Sequence, residues 1–189
     1  DSLLDSKFTL SHIGSLLEGR NPTTLWSVLS ELIKESADFA DAFQLNLIGF
    51  VSTGVLEMIK SYGLENYIGI TGYIPHNTVL EFQKKSQLLL LVEEDSKETE
   101  YIIPGKLFEY MGSKRPIIAI GPQSSDIEKI LNQTRSGTYF RYDEAVALRT
   151  LLLQHFEAYK LQQLHVDSKG LEAYSRRSLT QQLAQKLLN

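Results

Sequence analysis

A few residues have types and spacing suited to gripping an anion. Gly14-Ser15 followed by Arg20 offers a glycine that lets a ligand approach the backbone and a fixed cation able to give charge-assisted hydrogen bonds to a phosphate or diphosphate. In Pro104-Gly105-Lys106-Leu107-Phe108-Glu109-Tyr110 the spacing predicts a helix start. There Gly105 opens the backbone, Lys106 adds a cation beside the positive end of the helix dipole, and Glu109 one turn inside could accept hydrogen bonds from the vicinal hydroxyls of a sugar. The same residues also suit plainer roles: a tight turn with a solvated arginine, and a helix start with a solvated lysine and a glutamate that the dipole favours.

The other reactive groups exclude more than they offer. Cys is absent, which removes disulfides, Cys-ligated zinc, iron–sulfur clusters and thiol nucleophiles. Neither Gly-x-Gly-x-x-Gly nor a Walker A sequence occurs, so dinucleotide-dependent dehydrogenases and P-loop NTPases are excluded, and Ser/His/Asp hydrolysis lacks its Gly-x-Ser-x-Gly elbow. Glu93-Glu94-Asp95 is expected to be a solvated run rather than a metal cluster, because hard cations need several converging oxygens. Of the histidines, His12 and His76 flank strands, His12 partly buried, while His155 and His165 are expected on the surface of a terminal helix.

These residues need elements to position them. Residues 8–13 read as a strand ended by Gly14, and Asn21-Pro22 as an N-cap with proline at the first helical position. Leu25, Val28, Leu29 and Leu32 then recur at helical spacing, and a second strand follows at 45–51. The pattern continues with a helix through Val55, Ile59 and Tyr62, a strand at 68–73, and a helix from Pro75 or His76 to Lys85. Residues 88–92 are a near-continuous apolar strand, as expected where helices cover both faces. A long polar loop over 93–103 leads into the helix at Pro104, closed by Gly112. A strand at 116–120, a capping box of Ser125 with Glu128 for a helix to Leu131, a short strand at 138–141, and helical patterns over 143–165 and 171–188 complete the chain. The alternation predicts a doubly wound parallel α/β sheet, Rossmann-like, of six strands in the order 3-2-1-4-5-6, with the last two helices outside it. Ligands in such sheets sit beyond the carboxyl ends of the strands, which singles out residues 14–20, 73–76 and 93–109.

With 189 residues, 42% hydrophobic and 22% charged, the chain has the balance of one soluble domain that needs no staple. A net charge of −4 with scattered Lys and Arg argues against nucleic acid as partner. No aliphatic run approaches the roughly 18 residues of a membrane span. The opening Asp-Ser-Leu-Leu carries neither Met nor a signal peptide and suggests a piece of something longer.

Taken together, His12-Ile13-Gly14-Ser15 to Arg20-Asn21-Pro22, Gly72-Tyr73-Ile74-Pro75-His76, Pro104 to Met111, Arg115-Pro116-Ile117-Ile118-Ala119-Ile120-Gly121-Pro122 and the closing Tyr174-Ser175-Arg176-Arg177-Ser178-Leu179-Thr180 resemble the carboxyl-terminal, donor-binding domain of retaining glycosyltransferases of the GT-B fold, of the group-one, family-four type. The likeness spans essentially the whole chain. It implies a nucleotide-sugar donor as substrate, with no cofactor and no metal. The base would lie at Tyr73, Ile74 and His76, the ribose at Glu109, and the diphosphate at Gly14, Ser15, Arg20, Gly105 and Lys106. Where the family often has a basic residue after the first glycine, this chain has Ser15. The family's paired glutamates stand eight apart, and eight before Glu109 is Tyr101, leaving Glu100, one residue off, as the candidate for the donor sugar.

The resemblance further implies a parent enzyme of bacterial polysaccharide synthesis that transfers a hexosyl-type group with retention to a glycan or lipid-linked acceptor. Such an enzyme would be cytoplasmic, peripheral at the inner membrane face, and would have an amino-terminal acceptor domain that this chain lacks. The chain alone is then expected to bind donor and to turn nothing over. The competing reading is a non-catalytic nucleotide-binding or protein-interaction α/β module. A nucleotide-sugar epimerase of similar architecture would need acid and base carboxylates that the sequence does not offer.

Overall fold

The structure, a computed structural model, describes residues 3–175 together with 178, 180, 181, 184 and 185. Six strands, Phe8–Ile13 (β1), Phe43–Ile48 (β2), Ile68–Thr71 (β3), Leu88–Val92 (β4), Ile117–Gly121 (β5) and Gly137–Arg141 (β6), form one all-parallel sheet in the order β3-β2-β1-β4-β5-β6. Among the described residues seven helices accompany it: Thr23–Glu35 (α1), Ala37–Ala42 (α2), Thr53–Ser61 (α3), His76–Lys85 (α4), Gly105–Ser113 (α5), Asp126–Thr134 (α6) and Ala145–Lys160 (α7). The strand order is the one the alternation of elements predicts.

Every residue of β1, β4 and β5 is buried, because helices cover both faces. The pleat sends alternate side chains to two separate cores. Phe8, Leu10, Leu45, Leu47, Leu88 and Leu90 meet α1, α2, α3 and α7 on one face through Trp26, Leu29, Phe39, Val55 and Phe156. On the other face Leu89, Leu91, Ile117 and Ala119 pack on Leu107, Tyr110, Ile127 and Leu131 from α5 and α6.

Several boundaries differ from the sequence reading, each for a local reason. Asn21 does not cap α1: its Oδ1 accepts from Trp26 Nε1 at 2.7 Å, and Pro22 is the residue before the first helical turn. Strand β2 stops at Ile48, and Val51 only bridges to Leu16. Gly112 lies inside α5, and Lys114, at φ 57°, takes the left-handed position that ends it. Ser125 does cap α6, but its Oγ accepts from Ile127 N at 3.1 Å and donates elsewhere. The short α2 was not foreseen; six residues leave too little periodicity to read, and Ser36 caps it by accepting from Phe39 N at 3.2 Å. Helix α7 ends at Lys160, short of His165. The second terminal helix and the Tyr174–Thr180 motif fall largely outside the described residues; their described start is a 3-10 turn, Leu171–Tyr174.

Candidate anion and diol site at the carboxyl edge of the sheet

The chain order reverses between β1 and β4, and the loops after those strands splay apart there. The turn after β1 is built on glycine for two reasons. Gly14 has φ +123°, and its N–H donates to Ile48 O at 2.8 Å, tying it to the end of β2. Gly49, at φ +115°, sits directly beneath: a Cβ there would lie 2.7 Å from Gly14 O. The two turns stack because neither carries a side chain. Beyond them Leu16 pairs with Val51, and a 3-10 turn, Glu18–Arg20, brings Arg20 back over the strand ends.

Helix α5 approaches from the loop after β4, and one buried hydroxyl fixes it. Tyr110 OH accepts from Ile13 N at 3.0 Å and can return a long bond to Ile13 O at 3.5 Å. One turn earlier on the helix, Lys106 is thereby held against the glycine turn: a Cβ on Gly14 would lie 3.4 Å from Lys106 Nζ. Burial first, and the nearby Arg20 guanidinium second, pull the Lys106 ammonium down to about 8. Among the described residues neither Arg20 nor Lys106 forms an ion pair. A Cβ on Gly105 would meet no atom within 4 Å beyond its own helix, so the start of α5 borders open space.

Glu109, half-buried, lies one turn into α5 and receives a hydrogen bond from Gln83 Nε2 of α4 on its Oε2 at 3.2 Å. Tyr73 is 90% exposed, Ile74 half-buried and His76 exposed at the start of α4. A small hollow of about 90 Å³ lined by Gly14, Gly49, Gly72, Tyr73, Ile74 and Val79 joins that turn to the glycine stack. Gly14, Lys106, Tyr73 and Ile74 thus converge, with Arg20 close enough to act on Lys106. Ser15 is half-buried in the same turn. Glu100 is brought elsewhere: its carbonyl accepts from Asp126 N at 2.9 Å, and it lines a separate hollow with Asp95, Ser96, Lys97 and Pro122.

The sequence reading missed three neighbours of this site. Glu93 is not solvated but 6% exposed at the end of β4. Its Oε2 lies 2.8 Å from Ser125 Oγ and 2.7 Å from Tyr139 OH, its Oε1 has no partner among the described residues, and burial raises its carboxyl above the usual range. Tyr139 OH also stands 2.8 Å from Pro122 O. Its single hydroxyl proton serves one of these two acceptors at a time. Gly121 makes the room, since a Cβ there would lie 2.3 Å from Tyr139 OH. His12 is wholly buried rather than partly so; its Nδ1 lies 3.1 Å from Leu90 O, its Nε2 has no hydrogen-bond partner among the described residues, and burial together with Lys106 pulls it down to about 3. Gln83 is the third. Away from the site, His155 is half-buried rather than on the surface, while His165 is exposed as expected. A signal for Glu93 existed in its place directly after an all-apolar strand.

Chemically, the edge can hold an anion between two cations and a helix N-terminus, beside a carboxylate suited to a diol. Among the described residues, no group of three or more His, Asp or Glu side chains could hold a metal ion, and no helix is long and apolar enough to cross a membrane.

No protein-family model matches the sequence, and no curated protein matches it. Solved structures do resemble it. The carboxyl-terminal domain of a group 1 glycosyl transferase family protein (LpcC) from Francisella tularensis has a TM-score of 0.60 and 13% identity, over 85% of this chain and 81% of that one. A TarM variant from S. aureus, in complex with fondaparinux, alpha-GlcNAc-glycerol and UDP, has a TM-score of 0.62 and 16% identity, over 87% of this chain and 31% of that one. WaaG, a glycosyltransferase involved in lipopolysaccharide biosynthesis, has a TM-score of 0.63 and 16% identity, over 85% and 41%. The chain therefore has the fold of the carboxyl-terminal half of GT-B glycosyltransferases, and it spans 31% and 41% of the length of TarM and WaaG.

Proposed function

We propose that this chain is the donor-binding half of a glycosyltransferase that moves a sugar from a nucleoside-diphosphate donor to a glycan or lipid-linked acceptor with retention. The observation that carries the reading is the convergence of Lys106 on the Gly14 turn, 3.4 Å from where a Cβ would stand, with Arg20 alongside and, among the described residues, no carboxylate paired to either cation. A desolvated ammonium beside a second cation is costly to the fold, and a diphosphate would repay that cost. The UDP complex of the TarM variant and the lipopolysaccharide role of WaaG support the same class of donor and acceptor.

In this reading the base lies against Tyr73, Ile74 and His76, the ribose hydroxyls on Glu109, and the diphosphate against Gly14, Ser15, Arg20, Gly105 and Lys106. Glu100 would reach the donor sugar only if its loop moved from the hollow it lines. In the transfer, the bond between the anomeric carbon and the diphosphate oxygen breaks and the acceptor oxygen bonds on the same face. The departing phosphate takes the acceptor's proton. Arg20, Lys106 and the α5 amides stabilise the negative charge that develops on the leaving group. Acceptor placement is a large share of such catalysis and belongs to an amino-terminal partner domain, so the chain alone binds donor and turns nothing over. The whole enzyme would work in bacterial polysaccharide synthesis on the cytoplasmic side of the inner membrane.

Calorimetric titration of the chain with UDP, GDP and ADP tests the site. The tightest of the three should lose about 1–3 kcal/mol of binding in Lys106→Ala and in Arg20→Ala, the range for a hydrogen bond to a charged group. Equal affinity in both variants, or no binding of any of the three at millimolar concentration, would leave a non-catalytic interaction module as the reading.

A further inference from the structure

Helix α4 buries an unexpected side chain. Its one fully buried residue is not an aliphatic but Gln83, 1% exposed, while Val79 and Phe82 beside it are only partly buried against the core. An amide in such a place costs free energy unless its hydrogen bonds are made, and a methionine or leucine would fill the same space without that cost. The partner of the Gln83 amide is Glu109: Nε2 donates to Oε2 at 3.2 Å across the α4–α5 contact.

The geometry of that bond matters for a diol. A carboxylate has about four acceptor positions, so Oε2 can take the Gln83 amide and one hydroxyl while Oε1, which has no hydrogen-bond partner among the described residues, takes the other. A bidentate grip needs the plane of the carboxylate fixed, and a half-buried glutamate held only by its own rotamers would lose that orientation. Gln83 also stands seven residues, about 10 Å, along the helix that begins at His76. The turn assigned to the base and the amide that fixes Glu109 therefore ride on one rigid element.

We propose that Gln83 is a positioning residue: it orients the Glu109 carboxylate for a vicinal diol and so sets the preference for ribonucleoside over 2′-deoxyribonucleoside diphosphates. This rests on the reading of Glu109 as the ribose acceptor, and the experiment separates the two. Of UDP, GDP and ADP, the tightest binder and its 2′-deoxy counterpart are titrated against the unaltered chain, Glu109→Gln, Gln83→Met and the isosteric Gln83→Glu, with thermal melting as the check on folding.

The unaltered chain should prefer the ribonucleotide, and each Gln83 variant should lose about tenfold or more for it, as for one lost hydrogen bond to a charged group, and less than about twofold for the 2′-deoxy ligand. A general loosening of the fold would weaken both ligands alike, and that result overturns the proposal. So does a ribose preference that survives in both Gln83 variants, which leaves the Glu109 reading intact. If the unaltered chain binds both ligands equally, or Glu109→Gln keeps the preference, the Glu109 reading falls and the role of Gln83 falls with it. Failure to bind any nucleotide overturns both readings, and unfolding of both Gln83 variants assigns the amide a purely structural role.

Discussion

Lys106 shows how a residue can be poor for the fold and good for a site. Burial and Arg20 lower its pKa from 10.5 to about 8, so its charge is a burden to the folded state near neutral pH. Because the folded pKa lies below the unfolded one, the unfolded chain binds more protons between about 8 and 10.5, and stability rises with pH through that window. A bound diphosphate reverses the balance by favouring the ammonium. Nucleotide affinity is accordingly expected to fall as pH rises above about 8 and binding to take up protons there, both readable by calorimetry in buffers of different ionisation heat. Lys106→Arg should flatten the profile, since a guanidinium keeps its charge throughout. A pH-independent affinity from 7 to 9.5 in the unaltered chain would remove Lys106 from the anion site.

At the scale of elements, the site depends on two contacts between segments distant in sequence: the stacked turns after β1 and β2, and Tyr110 pinning α5 to Ile13. The glycines in these elements are not equivalent. Gly49 combines φ +115° with a Cβ position 2.7 Å from the backbone of Gly14, so Gly49→Ala must both strain its own backbone and push the turn that faces Lys106. It is expected to destabilise the chain by about 2–4 kcal/mol and to weaken nucleotide binding as well. Gly112, inside α5 with nothing within 4 Å, has no such duty, and Gly112→Ala should stabilise by about 0.5–1 kcal/mol through helix propensity alone. Denaturant titrations of the two variants check both signs, and a neutral Gly49→Ala would mean that the turns do not hold each other.

For the molecule as a whole, two desolvated histidines set the response to acid. His12 is lowered from 6.5 to about 3 and His155 from 6.5 to about 4, in each case first by burial. Both folded values lie below the unfolded one, so the unfolded chain takes up more protons and stability is lost as pH falls from 6.5 towards 4. Glu93 works in the opposite sense: its raised carboxyl favours the folded state at low pH and loses that contribution as pH rises above 4.5. Two histidines against one carboxyl leave a net loss on acidification. His12→Gln, which keeps a donor for Leu90 O, should reduce the proton uptake on unfolding at pH 5 by about one. An unchanged slope of stability against pH would show that His12 is charged in the folded protein.

What the sequence by itself determined was the architecture and the approximate edge of the site. Periodicity and burial are local consequences of composition: Leu88–Val92 can only be a strand covered on both faces, and alternation with helices leaves almost no other strand order. The carboxyl-edge rule then singles out Gly14, Arg20, Lys106 and Glu109 as candidates. Only the tertiary structure decided which polar groups are dry and who partners whom. The place of Glu93 directly after an apolar strand hints at burial, but only the hydroxyls of Ser125 and Tyr139 and the gap at Gly121 make it the dry acid of Glu93-Glu94-Asp95. Nothing in α4 marks Gln83 as the residue that turns inward, or names Glu109 as its partner 26 positions on. Glu100, one residue out of step with the family's spacing, was carried by its loop to the start of α6. Chain spacing constrains neighbours within a turn or a strand, whereas hydrogen bonds and desolvation act across the three-dimensional gap between elements, and that gap exists only once the chain has folded.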